Sequence, residues 1–462
     1  MKLAGKKILV VGLGQTGVGL CKFLSPRGAH VTVTDAAPAA ALGPVIDEIK
    51  DLVTGLALGQ AYPPHLEAVD LIILSPGVPP ELPWLQRAVA AGIPLMGELE
   101  LASRFLQVPV VAISGTNGKT TTTELVGELL RASGRRVRVG GNIGTPLIEL
   151  LQDQDQLDYL VIEVSSFQLD TAWSFKPQAA TLLNISADHL DRYASFAAYV
   201  NSKASLFRLQ GPEDLAVLNA DDPLVAPLAA QLRSRVCQFS SQQPVKTGAW
   251  RMGGALYIRL ASGLEAQFPV ADIKLGGQHN LENIMAALLL ALNLGATPQD
   301  CREVLARYPG LPHRLEWVAT LAGVRFFDDS KGTNVGAVTR SLANFTDPVI
   351  LIAGGRDKGG DYGPLAPLVQ ERVKAMILIG EARDQMAATL GHLAHTRLAD
   401  DLPQAVQWAW EESQPGDVIL LSPACSSFDM FKDYAERGQV FQAAVRGLSN
   451  GRPSRASSQK SV

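Results

Sequence analysis

Short apolar runs rich in Val, Ile and Leu recur along this chain, and they alternate with segments whose apolar residues repeat every three to four positions. The runs predict buried strands and the periodic segments predict covering helices, so the alternation predicts parallel sheets with helices on their faces. A first group of runs comprises Lys7–Gly12, Val31–Asp35 and Leu71–Ser75. A second comprises Val110–Ser114, Tyr159–Glu163, Ala180–Asn184 and Leu215–Asn219. A third comprises Val324–Asp328, Val349–Ala353, Ala375–Ile379 and Val418–Ser422. Many of them end in Asp, Ser, Glu or Asn, which matters because ligands of parallel sheets gather at the carboxyl ends of the strands.

Pro94, Pro109, Pro309 and Pro312 interrupt the helical pattern and predict seams near residues 95–107 and 308–313. The expected organisation is an α/β chain of three consecutive domains, at 1–100, 101–311 and 312–446, each with a mainly parallel sheet covered by helices. Residues 447–462 are rich in Ser, Arg and Gly without apolar periodicity, and are expected to be a disordered tail.

The run Val110–Ser114 leads into Gly115-Thr-Asn-Gly-Lys-Thr120, and Glu124–Arg131 beyond it has helical spacing. Strand, glycine turn and helix in that order make a phosphate-binding loop. Backbone N–H groups and the helix dipole face the turn and favour an anion. Lys119 can reach the β- and γ-phosphates and Thr120 can hold Mg²⁺. The usual spacing places a glycine where this chain has Ile113, so the loop is a short variant. An ordinary glycine turn with a surface lysine is the plain alternative, and it leaves the agreement of all three parts unexplained. The loop predicts a nucleoside triphosphate.

With 462 residues and a net charge of −4, the chain has no basic field for nucleic acid, so charged ligands must be met by local lysines and arginines. Cys21, Cys237, Cys301 and Cys425 are too scattered for a zinc site or a disulfide framework, which suits a reducing cytoplasm. Met1–Lys7 runs straight into a strand, leaving no signal peptide, and no apolar run approaches a membrane span.

Gly12-Leu-Gly-Gln-Thr-Gly17 follows the first strand, and Asp35 ends the second, 18 residues after Gly17. Alone this is a dinucleotide fingerprint, with an acid for ribose hydroxyls. A nucleoside diphosphate fits the same geometry. Ser75-Pro-Gly-Val78 offers a second glycine turn for it, and the separate triphosphate loop favours a UDP-type ligand over a redox cofactor. In the second group Glu163 ends a strand where a carboxylate can take Mg²⁺, although it could equally cap a helix. Asp188-His189 follows another strand end. Asn142 lies in Gly140-Gly-Asn-Ile-Gly144. Lys203, four residues after Tyr199, reads by spacing alone as a surface lysine. In the third group His313-Arg314 sits at the seam, where the arginine could clamp phosphate or ribose and the ring could stack on a base. Asp328–Asn334, Gly354–Lys358 and Ser422–Phe428 leave three further strands.

Gly115–Thr120 with Asn142, Glu163, Asp188-His189, Tyr199…Lys203, Gly277-Gln-His-Asn280…Asn283, His313-Arg314 and Asp329-Ser-Lys331 resembles the Mur ligases, ATP-dependent amino-acid ligases of peptidoglycan synthesis. The resemblance covers all but the tail. It implies an N-terminal Rossmann-like, a central P-loop ATPase-like and a C-terminal Rossmann-like domain. Leu421-Ser-Pro-Ala-Cys-Ser-Ser-Phe-Asp429, followed by Glu436-Arg-Gly438, is similar to the D-glutamate-adding members. The Asp-Asn-Pro-Arg string of diaminopimelate-adding relatives is missing. The pair Ala36-Ala37 departs from members that carry polar or basic groups towards the uracil, and Ser426 stands where alanine is commoner.

The resemblance implies ATP and two Mg²⁺ as cofactors, and UDP-N-acetylmuramoyl-L-alanine and D-glutamate as small-molecule substrates. It implies a cytoplasmic monomer with no nucleic acid and no membrane insertion. Gly115, Thr116, Asn117, Gly118, Lys119, Thr120, Thr121, Asn283, His313, Arg314 and Asp329 would bind ATP. Thr120, Glu163, His189 and a carbamylated Lys203 would hold the metal. Gly14, Gln15, Thr16, Asp35, Ser75, Pro76, Gly77, Asn142 and Ser165 would bind the UDP-substrate. Thr333, Lys358, Ser427, Phe428 and Tyr434 would surround D-glutamate. Lys119, Lys203, His189, Arg314 and Lys331 would act in catalysis, the last two arriving as the third domain closes. A ligase of another amino acid, a folylpolyglutamate synthase, a nucleotide sensor and a dehydrogenase are the rival readings.

Overall fold

The computed structural model describes residues 1–60, 68–188, 192–357 and 361–450. The chain divides into two compact units, Met1–Tyr308 and Pro309–Val462. That boundary falls inside the seam expected at 308–313. The seam expected at 95–107 does not divide compact units, because one continuous core runs from Ile8 and Val33 through Leu99 and Leu101 to Ala112 and Leu160.

The first unit holds two sheets. The N-terminal one is wholly parallel, in the spatial order Gly55–Leu58, His30–Asp35, Lys7–Val11, Leu71–Leu74 and Leu95–Gly97. Its order reverses at Lys7–Val11, and the crevice at such a reversal is where an α/β sheet takes a ligand. Gly17, in the helix Gln15–Leu24, makes the close approach possible: a Cβ there would stand 2.1 Å from the Gly12 carbonyl oxygen.

The central sheet has nine strands, with Val110–Ser114 between Ala179–Leu182 and Tyr159–Glu163. All five residues of Val110–Ser114 are buried, which is why the run reads as continuously apolar. The helix Lys119–Ala132 follows the glycine loop and packs on Gln278–Asn293, whose Ile284 to Ala291 are buried without exception. Beyond Arg235–Ser240 the sheet turns antiparallel through Gly248–Met252, Ala255–Arg259 and Glu265–Pro269.

Two buried carboxylates join the sheets of this unit. Glu98 accepts from the Ile148 N–H at 2.7 Å, and burial pushes its pKa up to about 7. Glu100 accepts from Trp173 N, Ser174 N and Ser174 Oγ at 2.9, 2.7 and 2.8 Å.

The second unit is a six-stranded sheet in the order Glu316–Leu321, Val324–Asp328, Val418–Leu421, Val349–Gly354, Val373–Ile379 and His395–Leu398. Only the first pair is antiparallel. The helix Tyr434–Asn450 carries four residues into the segment expected to be a disordered tail, 447–450, and the remainder of that segment lies outside the described residues.

Candidate active site

The glycine loop and the strand ends around it form one hydrogen-bonded unit. Gly118 caps the helix Lys119–Ala132 with φ of +87°, and a Cβ there would lie 2.2 Å from Asn283 Oδ1. Both constraints demand glycine. The Asn117 N–H donates to Asn184 Oδ1 at 2.9 Å and Asn184 Nδ2 donates back to the Asn117 carbonyl at 3.0 Å, so the loop is fixed to the end of the neighbouring strand. Thr116 Oγ1 accepts from the Ser186 N–H at 3.0 Å and meets the Tyr199 hydroxyl at 3.1 Å. Asn184 is legible in the sequence only as a polar strand end; the pairing of the two strands is what gives it Asn117 as a partner.

Glu163 gathers Thr120, expected with it around a cation, and Asn142, expected at the UDP-substrate. Thr120 Oγ1 donates to Glu163 Oε2 at 2.8 Å and Asn142 Nδ2 donates to Glu163 Oε1 at 2.8 Å. The Glu163 carboxylate and the Thr120 hydroxyl beside the glycine loop are the oxygen-donor chemistry that Mg²⁺ prefers, and Asn142 orients the carboxylate through its N–H. Thr121 is buried at the foot of the helix. Ser165, two residues beyond Glu163, caps Ser166–Leu169 in a reciprocal bond with Gln168.

Lys203 is not a surface lysine. It is 2% exposed on the helix Phe196–Ala204, donates to the Gly115 carbonyl at 2.8 Å and lies 4.7 Å from the centre of the Tyr199 ring. Burial, with Lys119 nearby, holds its amine well below the ordinary lysine range. Lys119 Nζ folds onto the loop's own carbonyls, at 3.0 Å to Gly115 and 2.9 Å to Thr116. Burial makes the neutral amine easier to reach; a neutral amine is a nucleophile for CO₂, and a carbamate is an anionic oxygen ligand. His189 lies outside the described residues.

At the N-terminal sheet, both carboxylate oxygens of Asp35 accept backbone N–H bonds, from Leu13 at 2.6 Å and Ala37 at 2.8 Å. Asp35 therefore shapes the Gly12–Gly17 turn as well as standing beside it. Ser75 Oγ donates to the Gly12 carbonyl at 2.9 Å and ties the two glycine turns together. Gly14, Gln15 and Gly77 are exposed, while Thr16 and Pro76 are half-buried. Arg192, which the sequence reading passed over, donates to the carbonyls of Gly77 at 3.0 Å and Pro76 at 3.5 Å.

In the second unit Asp329 and Ser422, just past the paired strands Val324–Asp328 and Val418–Leu421, meet. Asp329 Oδ2 accepts from Ser341 Oγ at 2.6 Å and Ser422 Oγ at 2.7 Å, and burial pushes its pKa up to about 6. His313, at φ of +61°, is buried with Nδ1 2.7 Å from Asp328 Oδ2. A Cβ on Gly438 would strike that ring at 2.1 Å. Most of the ring surface available for stacking on a base is thus spent within the fold, and the half-buried Arg314 is what the turn presents. Lys331 Nζ lies 3.7 Å from the centre of the Tyr434 ring. Ser427 is buried and Phe428 is 65% exposed. Thr333 is half-buried, and Lys358 lies outside the described residues.

Arg437 organises this region although only the string Glu436-Arg-Gly438 pointed to it. It is fully buried and donates to Ser330 Oγ and O at 3.0 and 2.8 Å, to Cys425 O at 3.2 Å and to Ser426 O at 3.2 Å. These bonds join the loop carrying Lys331 to the loop carrying Ser427. Burial lowers its pKa to about 10, which still leaves it a cation at neutral pH.

Comparisons with known proteins match the chain in three consecutive segments. Residues 6–97 match a family described as Mur ligase MurD-like, N-terminal domain; residues 113–291 match Mur ligase middle domain; residues 313–425 match Mur ligase, glutamate ligase domain. The UDP-N-acetylmuramoylalanine--D-glutamate ligase of Geobacter metallireducens is 50% identical over 451 residues, covering 98% of this chain and 99% of that protein. The protein of the same name from Geotalea uraniireducens is 49% identical with the same coverage. Among solved structures, a pseudomurein peptide ligase type C from Methanothermus fervidus superposes with a TM-score of 0.61 at 20% identity, over 96% of this chain and 100% of that one. The UDP-N-acetylmuramate-alanine ligase MurC of Thermotoga maritima gives 0.59 at 18% identity, over 96% and 100%. At those identities the solved structures speak for the fold.

Proposed function

Because this chain belongs to the Mur ligase family, we propose that it joins D-glutamate to UDP-N-acetylmuramoyl-L-alanine at the expense of ATP, in the synthesis of peptidoglycan precursors. The observation that carries the reading is near-full-length identity of about one residue in two with ligases of that name, on a chain whose phosphate loop converges with Glu163 and the buried Lys203. Residues 1–100 would take the UDP-substrate, 101–311 the ATP and 312–446 the amino acid.

In this reaction the substrate carboxylate attacks the γ-phosphate of ATP to give an acyl phosphate and ADP, and the amine of D-glutamate then attacks the acyl carbon, releasing phosphate and a proton. Two anions must approach each other, so the residues have to offset their repulsion. Lys119 would leave the loop carbonyls for the phosphates, and the first N–H groups of Lys119–Ala132 would receive the same anion. Thr120, Glu163, a carbamylated Lys203 and His189 would hold Mg²⁺, one ion or two, which when bound neutralises charge on the phosphates. Gly115, Thr116, Asn117, Gly118, Thr121 and Asn283 would shape the triphosphate site, and His313, Arg314 and Asp329 would contribute ATP contacts, His313 chiefly by setting the turn.

The turns Gly14–Thr16 and Ser75–Gly77, with Asp35, Asn142 and Ser165, would hold the UDP-substrate. Thr333, Lys358, Ser427, Phe428 and Tyr434 would receive D-glutamate, with Lys331 assisting attack. D-Glutamate carries a second carboxylate, for which cations and hydroxyls are the fitting partners. No helix among the described residues is long and apolar enough to cross a membrane. The reading places the reaction in the cytoplasm, in a monomer, with no nucleic-acid partner.

The test is phosphate release from ATP in the presence of UDP-N-acetylmuramoyl-L-alanine, comparing D- with L-glutamate. Release that depends on both the UDP-substrate and D-glutamate is expected. Release with L-glutamate alone, or ATP binding without turnover, would overturn the assignment.

A further inference from the structure

Arg192 stands where two parts of the first unit meet. Its guanidinium donates through Nη1 to the Gly77 carbonyl at 3.0 Å and through Nη2 to the Pro76 carbonyl at 3.5 Å, and lies 4.3 Å from the centre of the Phe167 ring. Phe167 belongs to the short helix Ser166–Leu169 that follows Glu163, whereas Gly77 follows the N-terminal sheet's strand Leu71–Leu74. One side chain therefore links the glycine turn of one sheet to the strand end of the other.

The anchorage is firm on both sides. The neighbouring Tyr193 stacks on Phe167 at 5.9 Å between centroids, and its hydroxyl donates to Asp170 Oδ2 at 2.7 Å. On the other side Ser75 Oγ holds the Gly12 carbonyl, so the turn is gripped from Gly12 and from Arg192 at once. Around Gly77 itself a Cβ would meet nothing within 4 Å, which leaves that face of the turn open to a ligand.

From this arrangement we infer that Arg192 is a positioning residue for the nucleoside-diphosphate end of the UDP-substrate, acting through the Ser75–Gly77 turn. The inference rests on the functional reading above. A guanidinium suits the task because its planar fork spans two adjacent carbonyls while its face lies on an aromatic ring; a lysine can do one or the other. Its positive charge beside the turn also favours the diphosphate. ATP binds elsewhere in the unit, at Gly115–Thr120, so the effect should be confined to one substrate.

The experiment compares the full-length protein with Arg192→Ala and Arg192→Lys. Steady-state kinetics would be run for each of the three substrates, and UDP binding measured by calorimetry without ATP. Loss of a charge-assisted grip predicts that the KM for the UDP-substrate rises about tenfold in Arg192→Ala and nearly as much in Arg192→Lys, with UDP binding weakened in parallel. The kcat and the KM values for ATP and D-glutamate should stay within about twofold of wild type, since Arg192 touches neither of their sites. Unchanged UDP affinity in both variants, or full rescue by lysine, would overturn the proposal. So would a uniform fall in kcat for all substrates. If the wild-type protein itself showed no D-glutamate-dependent phosphate release but its UDP affinity still depended on Arg192, the functional reading would fail and the positioning role would stand.

Discussion

Lys119 and Lys203 share one acceptor: both side-chain nitrogens donate to the Gly115 carbonyl, at 3.0 and 2.8 Å. Two cations on one carbonyl are tolerable in water but not in a dry site, and Lys203 is the buried member of the pair. Relief comes from keeping its amine neutral or converting it to an anion. The same contact that makes Lys203 awkward as an ammonium is what the proposed carbamylation would relieve.

Replacing Lys203 by alanine should lower kcat by about two orders of magnitude or more, the scale of losing a charged group that stabilises a transition state. Acetate or formate should restore part of the activity by supplying a carboxylate in place of the carbamate. Undiminished turnover in Lys203→Ala would remove the carbamate from the mechanism.

Thr120 and Glu163 should behave as one unit, because they are bonded to each other at 2.8 Å. Thr120→Val and Glu163→Gln should each raise the Mg²⁺ concentration needed for half-maximal activity. The double variant should lose less than the sum of the two in free energy, as groups in contact do. Strict additivity in the cycle would separate their roles.

Gly118→Ala meets two obstacles, the left-handed backbone at +87° and Asn283 Oδ1 at 2.2 Å from the new methyl group. About 1–3 kcal/mol of backbone strain, together with displacement of Asn283, should weaken ATP binding about tenfold or more. Calorimetry with a non-hydrolysable ATP analogue measures it. UDP binding, which the proposed function assigns to other turns, should be unchanged.

Glu98 should make stability depend on pH. Its folded pKa is raised from 4.5 to about 7, so between those values the native state holds a proton that the unfolded state releases. Its contribution is therefore fully present below pH 4.5 and is lost as pH rises through 7. A shift from 4.5 to about 7 corresponds to roughly 3 kcal/mol. Urea unfolding of wild type and Glu98→Gln across pH 4.5 to 8 should show wild type losing stability relative to the variant as pH rises. Parallel curves would refute it.

Much of this protein was legible before any coordinates. The central strands, such as Val110–Ser114 and Tyr159–Glu163, are buried on both faces, so their sequences are unbroken apolar runs. The glycine loop was equally plain, because its chemistry is local: a strand, a turn of fixed length and a helix start. Strands at or near sheet edges escaped notice. His395–Leu398 is His-Thr-Arg-Leu with no buried residue, and Glu265–Pro269 buries only Phe268 outright, so neither offers an apolar run.

What the sequence determined by itself is therefore whatever is encoded within a few neighbouring residues: strand runs, the phosphate loop, and motifs dense enough to resemble a family. Only the tertiary structure decided which distant residues become neighbours. Lys203 passes by spacing for a surface lysine until the helix Phe196–Ala204 buries it against Gly115. Arg192 and Arg437 look ordinary until one reaches the turn at Gly77 and the other the carbonyls of Cys425 and Ser426. The physical reason is that burial and pairing belong to surfaces brought together by folding, and those surfaces are built from segments far apart in the chain.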